Sequence, residues 1–320
     1  MSPLPRVLRL AALLFLVGLT TSRLALVVHE LGGHAAPVLA LGGHVTSVHF
    51  FLFAGGYVTY DRVQPLALDE RLLVSLGGIA LELMAGAALL AITRMRAVKR
   101  RPIARVATLG AGTVLLLHAL FYLSSSAYHG YGDGYTLRHW LGDRRLWLVV
   151  PVAVVAVVAG FACARTLVGE LSAWMTGSGR AARVGWILLA VGLAGGAHAA
   201  LTFGELGLRA NRTYAGVMKR EDTRIADRAL ERYLAMQRAR GAAPDAATVR
   251  ARQRVLRAEY REPPVGLLIA IAIGLACLLG AAVARPRDGA ADEVPRWRRL
   301  LRPAVVAALA VALVGVVSLL

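Results

Sequence analysis

Seven long apolar runs dominate the chain, at about 8–31, 72–93, 104–126, 146–168, 184–204, 265–284 and 303–320. Each approaches the ~20 residues that a helix needs to cross ~30 Å of hydrocarbon, so the pattern predicts seven transmembrane helices. Residues 45–60, "VTSVHFFLFAGGYVTY", differ. They are β-branched and aromatic around Ala54-Gly55-Gly56, which predicts a β-hairpin. The expected fold class is therefore an α-helical polytopic membrane protein, with about seven transmembrane helices and a small β-hairpin inserted after the first. An open hairpin facing lipid would leave backbone groups unpaired, so this one must lie at the interface or line a cavity between helices. Beside a polar site, its edge could hold an extended peptide by strand pairing.

The only sizeable polar stretch is 205–264. "RTYAGVMKREDTRIADRALERYLAMQRAR" is rich in helix formers, and "GAAPDAATVRARQRVLRAEYREPP" follows it. Gly241 and Pro244 break the pattern, Asp245 suits an N-cap, and Pro263–Pro264 ends the second helix. An antiparallel helical pair on the membrane surface is expected, its arginines in water or on lipid phosphates. The chain thus divides into 1–145 (three spans and the hairpin), 146–204 (two spans), 205–264 (the polar pair) and 265–320 (two spans). A signal peptide is the alternative for the first run, with Arg6 and Arg9 at its basic end. Against it, the run resumes after Arg23 and leads directly into "HELGGH".

Composition agrees with a bilayer-embedded chain: 57% of the 320 residues are hydrophobic, and mean hydropathy is +0.59. A soluble domain holds about 45–50% apolar residues. The net charge of +18 invites a nucleic-acid partner, but the location of the charges argues for none. Arg94, Arg96, Lys99, Arg100, Arg101 and Arg105 fill the link between the second and third spans without an acid. Arg285, Arg287, Arg296, Arg298, Arg299 and Arg302 crowd the link before the last. Such links are cytoplasmic under the positive-inside rule. That places the N-terminus inside and 32–71, 127–145 and 205–264 outside, in what is expected to be a bacterial inner (plasma) membrane. Cys163 and Cys277 each fall within a span, so neither suggests a disulfide framework.

Ionisable residues inside spans are costly and call for a partner or a function. Those noted are His29, Glu30, His34, Glu82, His118 and His198, with Asp133 just after the third span. His29, Glu30 and His34 have the residue types of a zinc site, but the histidines are five apart rather than four. At ~100° per residue, positions i and i+4 lie ~40° apart on a helix, whereas i and i+5 lie ~140° apart. Two imidazoles at the latter spacing share a metal only if the helix takes up one more residue, as a π-bulge does. Gly32 and Gly33, lacking Cβ, ease that widening. A catalytic zinc needs three protein ligands, and "YHGYGDGYTLRHWLG" offers Asp133 between two glycines. Glu30 could then act as general base. The competing reading of Asp133 is a turn residue, as D-G pairs usually are.

Together these pieces resemble the site-2 protease family, zinc metalloproteases that cut peptide bonds within the membrane. Members typically show a helix ending in H-E-x-G-H, a "GG.V" hairpin, a span with G-P-x-x-N, and a third span leading into an L-D-G loop. Here "HELGGH" carries one inserted residue and "GGYVTY" matches the hairpin return. "GGIALELMAG" keeps Gly78, with Ile79 for the proline and Glu82 for the asparagine, and "GDGYTLRHWLG" has Gly132 for the leucine. The resemblance covers about residues 8–145. It implies His29, His34 and Asp133 as Zn2+ ligands and Glu30 as the base. Glu82, Gly55, Gly56 and His129 are the residues expected to hold substrate or support the ligands. The H-E-x-x-x-H spelling also has a counterpart in the soluble dipeptidyl-peptidase III family, which this chain does not otherwise resemble.

The implied activity is intramembrane endopeptidase cleavage of a membrane protein substrate. Two alternatives stand beside it. One is a catalytically inactive relative that binds membrane partners. The other is a transporter, against which the absence of a clear internal repeat counts.

Overall fold

The computed structural model describes residues 3–62, 64–175, 179–285 and 296–318; Arg287 lies outside them. α1 (Leu4–Val27) continues without a break through a π-helix (Val28–Ala35) into α2 (Ala36–Ala40). The hairpin follows, β1 (His44–Phe50) antiparallel to β2 (Gly56–Asp61), with His44 opposite Asp61, Phe50 opposite Gly56 and an irregularity between Val45 and Ser47. Then come α3 (Leu68–Ile92), α4 (Arg96–Lys99), α5 (Pro102–His129), α6 (Gly134–Leu141), α7 (Leu146–Ser172) and α8 (Arg180–Arg209). The polar stretch supplies α9 (Arg212–Val217), α10 (Glu221–Ala239) and α11 (Ala246–Glu259), and the chain closes with α12 (Val265–Ala282) and α13 (Trp297–Val317).

Seven helical stretches among the described residues are long and apolar enough to cross a membrane. The protein is a helical polytopic membrane protein. α1 packs against several other spans. Val7, Leu10 and Leu13 are buried with Val106 of α5, Leu171 of α7, Ile187 of α8 and Leu300 of α13. The first apolar run is thus an integral part of the bundle. Elsewhere small residues let helices meet backbone to backbone. A Cβ on Gly112 of α5 would come within 3.0 Å of the Gly86 carbonyl of α3.

The hairpin is enclosed by protein at its tip, where Phe50 and Phe51 are fully buried. Charged side chains satisfy its turn. Glu205 of α8 accepts from the N–H groups of Leu52 (2.7 Å), Phe53 (2.6 Å) and Ala54 (3.0 Å). Arg23 of α1 donates to the carbonyls of Phe51 (3.0 Å), Ala54 (2.8 Å) and Phe53 (3.2 Å). This meets the requirement that non-helical backbone at depth be paired within the protein.

α10 and α11 form the expected pair, and the Asp245 carboxylate caps α11 by accepting from Thr248 N–H at 2.7 Å. The surface-and-lipid expectation for this segment is incomplete, because α9 reaches back over the hairpin. Asn211 donates to the Tyr57 hydroxyl (2.8 Å), and Tyr214 packs edge-on against Phe51. The N–H of Gly132, beside Asp133, donates to the Val217 carbonyl at 2.9 Å.

Candidate metal centre

The five-residue spacing of His29 and His34 is accommodated by widening of the backbone. Residues 28–35 form π-helix, whose i→i+5 hydrogen bonds fit an extra residue into each turn. Both imidazoles then fall on one side, their ring centroids 4.9 Å apart. Gly33 has a second role. A Cβ there would collide with the backbone of Gly77 and Gly78, so this helix and α3 cross with their main chains in contact. A Cβ on Gly78 would in turn lie 2.5 Å from the His29 ring. The glycines of "HELGGH" and "GGIALE" are one crossing, and it presses His29 into position.

Asp133 reaches the same point from the far side. Gly130 (φ +64°) and Gly132 (φ +50°) take left-handed backbone that turns the chain sharply after α5. Asp133 thereby sits at the N-cap of α6, its own N–H directed to the Tyr122 hydroxyl at 3.3 Å. Its Oδ2 lies 3.0 Å from His29 Nε2 and its Oδ1 3.3 Å from His34 Nε2. One ligand atom from each of His29, His34 and Asp133 lies within 4.8 Å of the others, so the group could hold a metal ion.

The second nitrogen of each ring is committed elsewhere. His29 Nδ1 lies 3.0 Å from Glu82 Oε1, and His34 Nδ1 lies 2.5 Å from the Val74 carbonyl. A proton on each Nδ1 satisfies these acceptors, and the Nε2 lone pairs, which both face Asp133, are then available to a metal ion. Outer partners of this kind fix the tautomer of metal-binding histidines. Glu82 is buried, and its other oxygen lies 2.8 Å from His118 Nδ1. It stands where the resemblance expects a substrate-holding asparagine, yet both oxygens are taken by histidines.

Glu30 is buried beside the ligands, and among the described residues its carboxylate has no hydrogen-bond partner. The Tyr214 hydroxyl of α9 has its pKa pushed up by burial, and further by the Glu30 carboxylate nearby.

Of the remaining expected site residues, Gly55 and Gly56 lie at the hairpin turn. The Gly55 carbonyl accepts from Phe51 N–H at 3.0 Å, and a Cβ on Gly56 would meet the His49 carbonyl at 2.8 Å. Only Gly56 answers to a close approach of backbone; a Cβ on Gly55 would meet nothing nearer than the Tyr214 hydroxyl at 3.5 Å. His129 is a correction. The turn at Gly130 separates it from Asp133, and it faces α12 instead, with Nδ1 3.4 Å from Glu262 Oε2 and Nε2 accepting from Gly266 N–H at 3.3 Å. Glu262 anchors the end of the polar segment. Burial opposes its ionisation, but His129, Arg138 (2.5 Å) and Arg145 (3.4 Å) prevail and hold its carboxyl below the usual range.

Four contributors were not singled out as site residues in the sequence: the Val74 carbonyl, His118, and the pair Arg23 and Glu205 that grips the hairpin. His118, an ionisable residue within a span, calls from the sequence for a partner or a function, and it finds a partner on a neighbouring helix in Glu82. Arg23 lay open to discovery, since an arginine amid "VGLTTSRLALVV" needs a partner as surely as any intramembrane histidine. The Val74 carbonyl leaves no trace in residue types.

Comparison of the chain with known protein families, with curated proteins and with solved structures finds no match in any of the three.

Proposed function

We propose that the chain is a zinc-dependent intramembrane endopeptidase that hydrolyses peptide bonds of membrane-embedded substrates. One observation supports this above the rest: two imidazoles with outward-fixed Nε2 atoms and one carboxylate converge inside the membrane-spanning bundle, with an unpartnered glutamate alongside. Two nitrogens and one oxygen suit zinc and leave a coordination position open. His29, His34 and Asp133 would hold the ion, which when bound supplies Lewis-acid polarisation of the scissile carbonyl and of water.

The chain's own residues supply the rest. Glu30 takes a proton from the attacking water on its carboxylate and returns it to the leaving nitrogen of the substrate. Glu82 holds the Nδ1 proton of His29 and Val74 that of His34, so neither ring rotates during turnover. The hairpin offers backbone donors and acceptors to an extended segment, and the grip of Arg23 and Glu205 on its turn keeps that edge rigid. The burial of His29, Glu30 and His34 limits bulk water at the reacting bond.

A second reading, a catalytically inactive relative that binds membrane partners, draws on Glu82, whose oxygens are both engaged and leave nothing to hold a substrate strand at that position. Glu30→Gln separates the two. The enzyme reading expects cleavage of a reconstituted transmembrane substrate to fall by about 10²–10⁴-fold while metal content is unchanged. Wild-type protein with full metal that cleaves no membrane substrate would favour the binding reading. We further infer from the arginine-rich links that the N-terminus is cytoplasmic in a bacterial inner membrane.

A further inference from the structure

A cavity of about 510 Å³ lies between α1, α3, α5 and the start of α13. Along α1 its wall runs from Leu13 to Val28, roughly 22 Å at 1.5 Å per residue. Leucine, valine and alanine side chains form most of its wall, interrupted by Thr20, Thr21 and Thr108. Its charged residues are Glu82, at the end nearest the candidate metal site, and Arg302 at the opposite end. Leu24 and Val28 are 43% and 50% exposed, so the cavity opens sideways towards the bilayer.

We propose that this cavity binds one acyl chain of an anionic phospholipid, with the lipid phosphate on Arg302. The shape suits the occupant. The trough runs roughly 22 Å along α1 and is walled mostly by leucine, valine and alanine side chains, which matches one extended hydrocarbon tail lying beside that helix.

The charge selects the headgroup. The end of the cavity that holds Arg302 also holds Ile103, at the start of α5, and the preceding link carries Arg94, Arg96, Lys99, Arg100 and Arg101 with no acid. Arg302 is exposed and has no ion-pair partner among the described residues. A guanidinium donates two parallel hydrogen bonds to a phosphate, and clustered basic residues at a membrane face recognise anionic lipid. Such a lipid would sit with its phosphate at the basic face and its tail extended towards Glu82. This site is independent of whether the chain cleaves peptides.

The test uses full-length protein reconstituted in vesicles of equal parts phosphatidylglycerol and phosphatidylcholine, then extracted in mild detergent and weighed by native mass spectrometry. The expected result is one retained phospholipid per chain, enriched in phosphatidylglycerol. Arg302→Gln, an exposed change that leaves the bundle intact, should lower that enrichment about fivefold. Ala111→Trp, which fills the cavity, should abolish retention. A phosphatidylglycerol carrying a photoreactive group on its acyl chain gives a second readout in the wild-type protein, and should label peptides of α1, α3 and α5. No retained lipid, equal retention of the two lipids in wild type, labelling confined to other helices, or occupation by a helical peptide instead would each overturn the proposal.

Discussion

Glu82 holds His29 by its Nδ1, at 3.0 Å, and so turns the Nε2 of that ring towards Asp133, also at 3.0 Å. A neutral imidazole carries one proton, and with that proton on Nδ1 towards Glu82 the Nε2 lone pair is available to a metal ion beside Asp133. In this geometry Glu82 fixes a histidine of the candidate metal site. It follows that Glu82→Ala should lower metal affinity by about 10–100-fold without unfolding the protein, and Glu82→Gln by less, because an amide oxygen still accepts. Competition with a chromogenic chelator measures both.

The glycine crossing gives a contrast between neighbouring positions. A Cβ on Gly78 would lie 2.5 Å from the His29 ring, while one on Gly32 would meet side-chain ends alone, Leu81 at 3.0 Å and Val28 at 3.9 Å. Gly78→Ala should therefore abolish metal binding, and Gly32→Ala should retain it with at most a modest loss. Equal effects at the two positions would remove the crossing from the account.

The hairpin turn is held by a buried arginine and a buried glutamate from two different spans. Replacing Glu205 by Ala leaves three N–H groups unpaired and Arg23 without its nearby countercharge, a loss on the order of 3 kcal/mol. Hydrogen exchange at Leu52, Phe53 and Ala54 should accelerate strongly, while α12 and α13 keep wild-type protection. A turn that stays protected would show that the grip is dispensable.

Glu262 ties the end of the polar segment to α5 through His129 and to α6 through Arg138, and its partners keep its carboxyl below the ordinary range. A depressed carboxyl stabilises the folded state above the unfolded value, and that contribution disappears as pH falls through the folded value. The difference in thermal stability between wild type and Glu262→Gln should therefore be full at neutral pH and shrink as pH falls below about 4.5. A difference constant across that window would mean that Glu262 acts through packing alone.

The helices, the hairpin, the Asp245 cap and the π-widening were legible in the sequence, because each follows from local period, turn chemistry or residue spacing. His29, His34 and Asp133 could be nominated, since their residue types suit a metal and glycines flank them. What could not be read were relationships between distant segments. His129 looks from its numbering like a neighbour of Asp133, but the positive φ of Gly130 turns it to the opposite side. Gly33 reads as a softener of its own helix, and only the crossing shows that it also admits α3. The attachment of α9 to the hairpin depends on Asn211, Tyr214 and the Val217 carbonyl, none of which differs in type from ordinary surface residues.

The most direct measurement is the zinc content of purified wild-type protein beside His34→Ala and Asp133→Ala. The expected result is about one zinc per chain in wild type and little in either variant, with all three eluting alike on gel filtration. Wild-type protein free of zinc after purification in its presence, or the same zinc content in all three proteins, would contradict a shared metal centre at these residues.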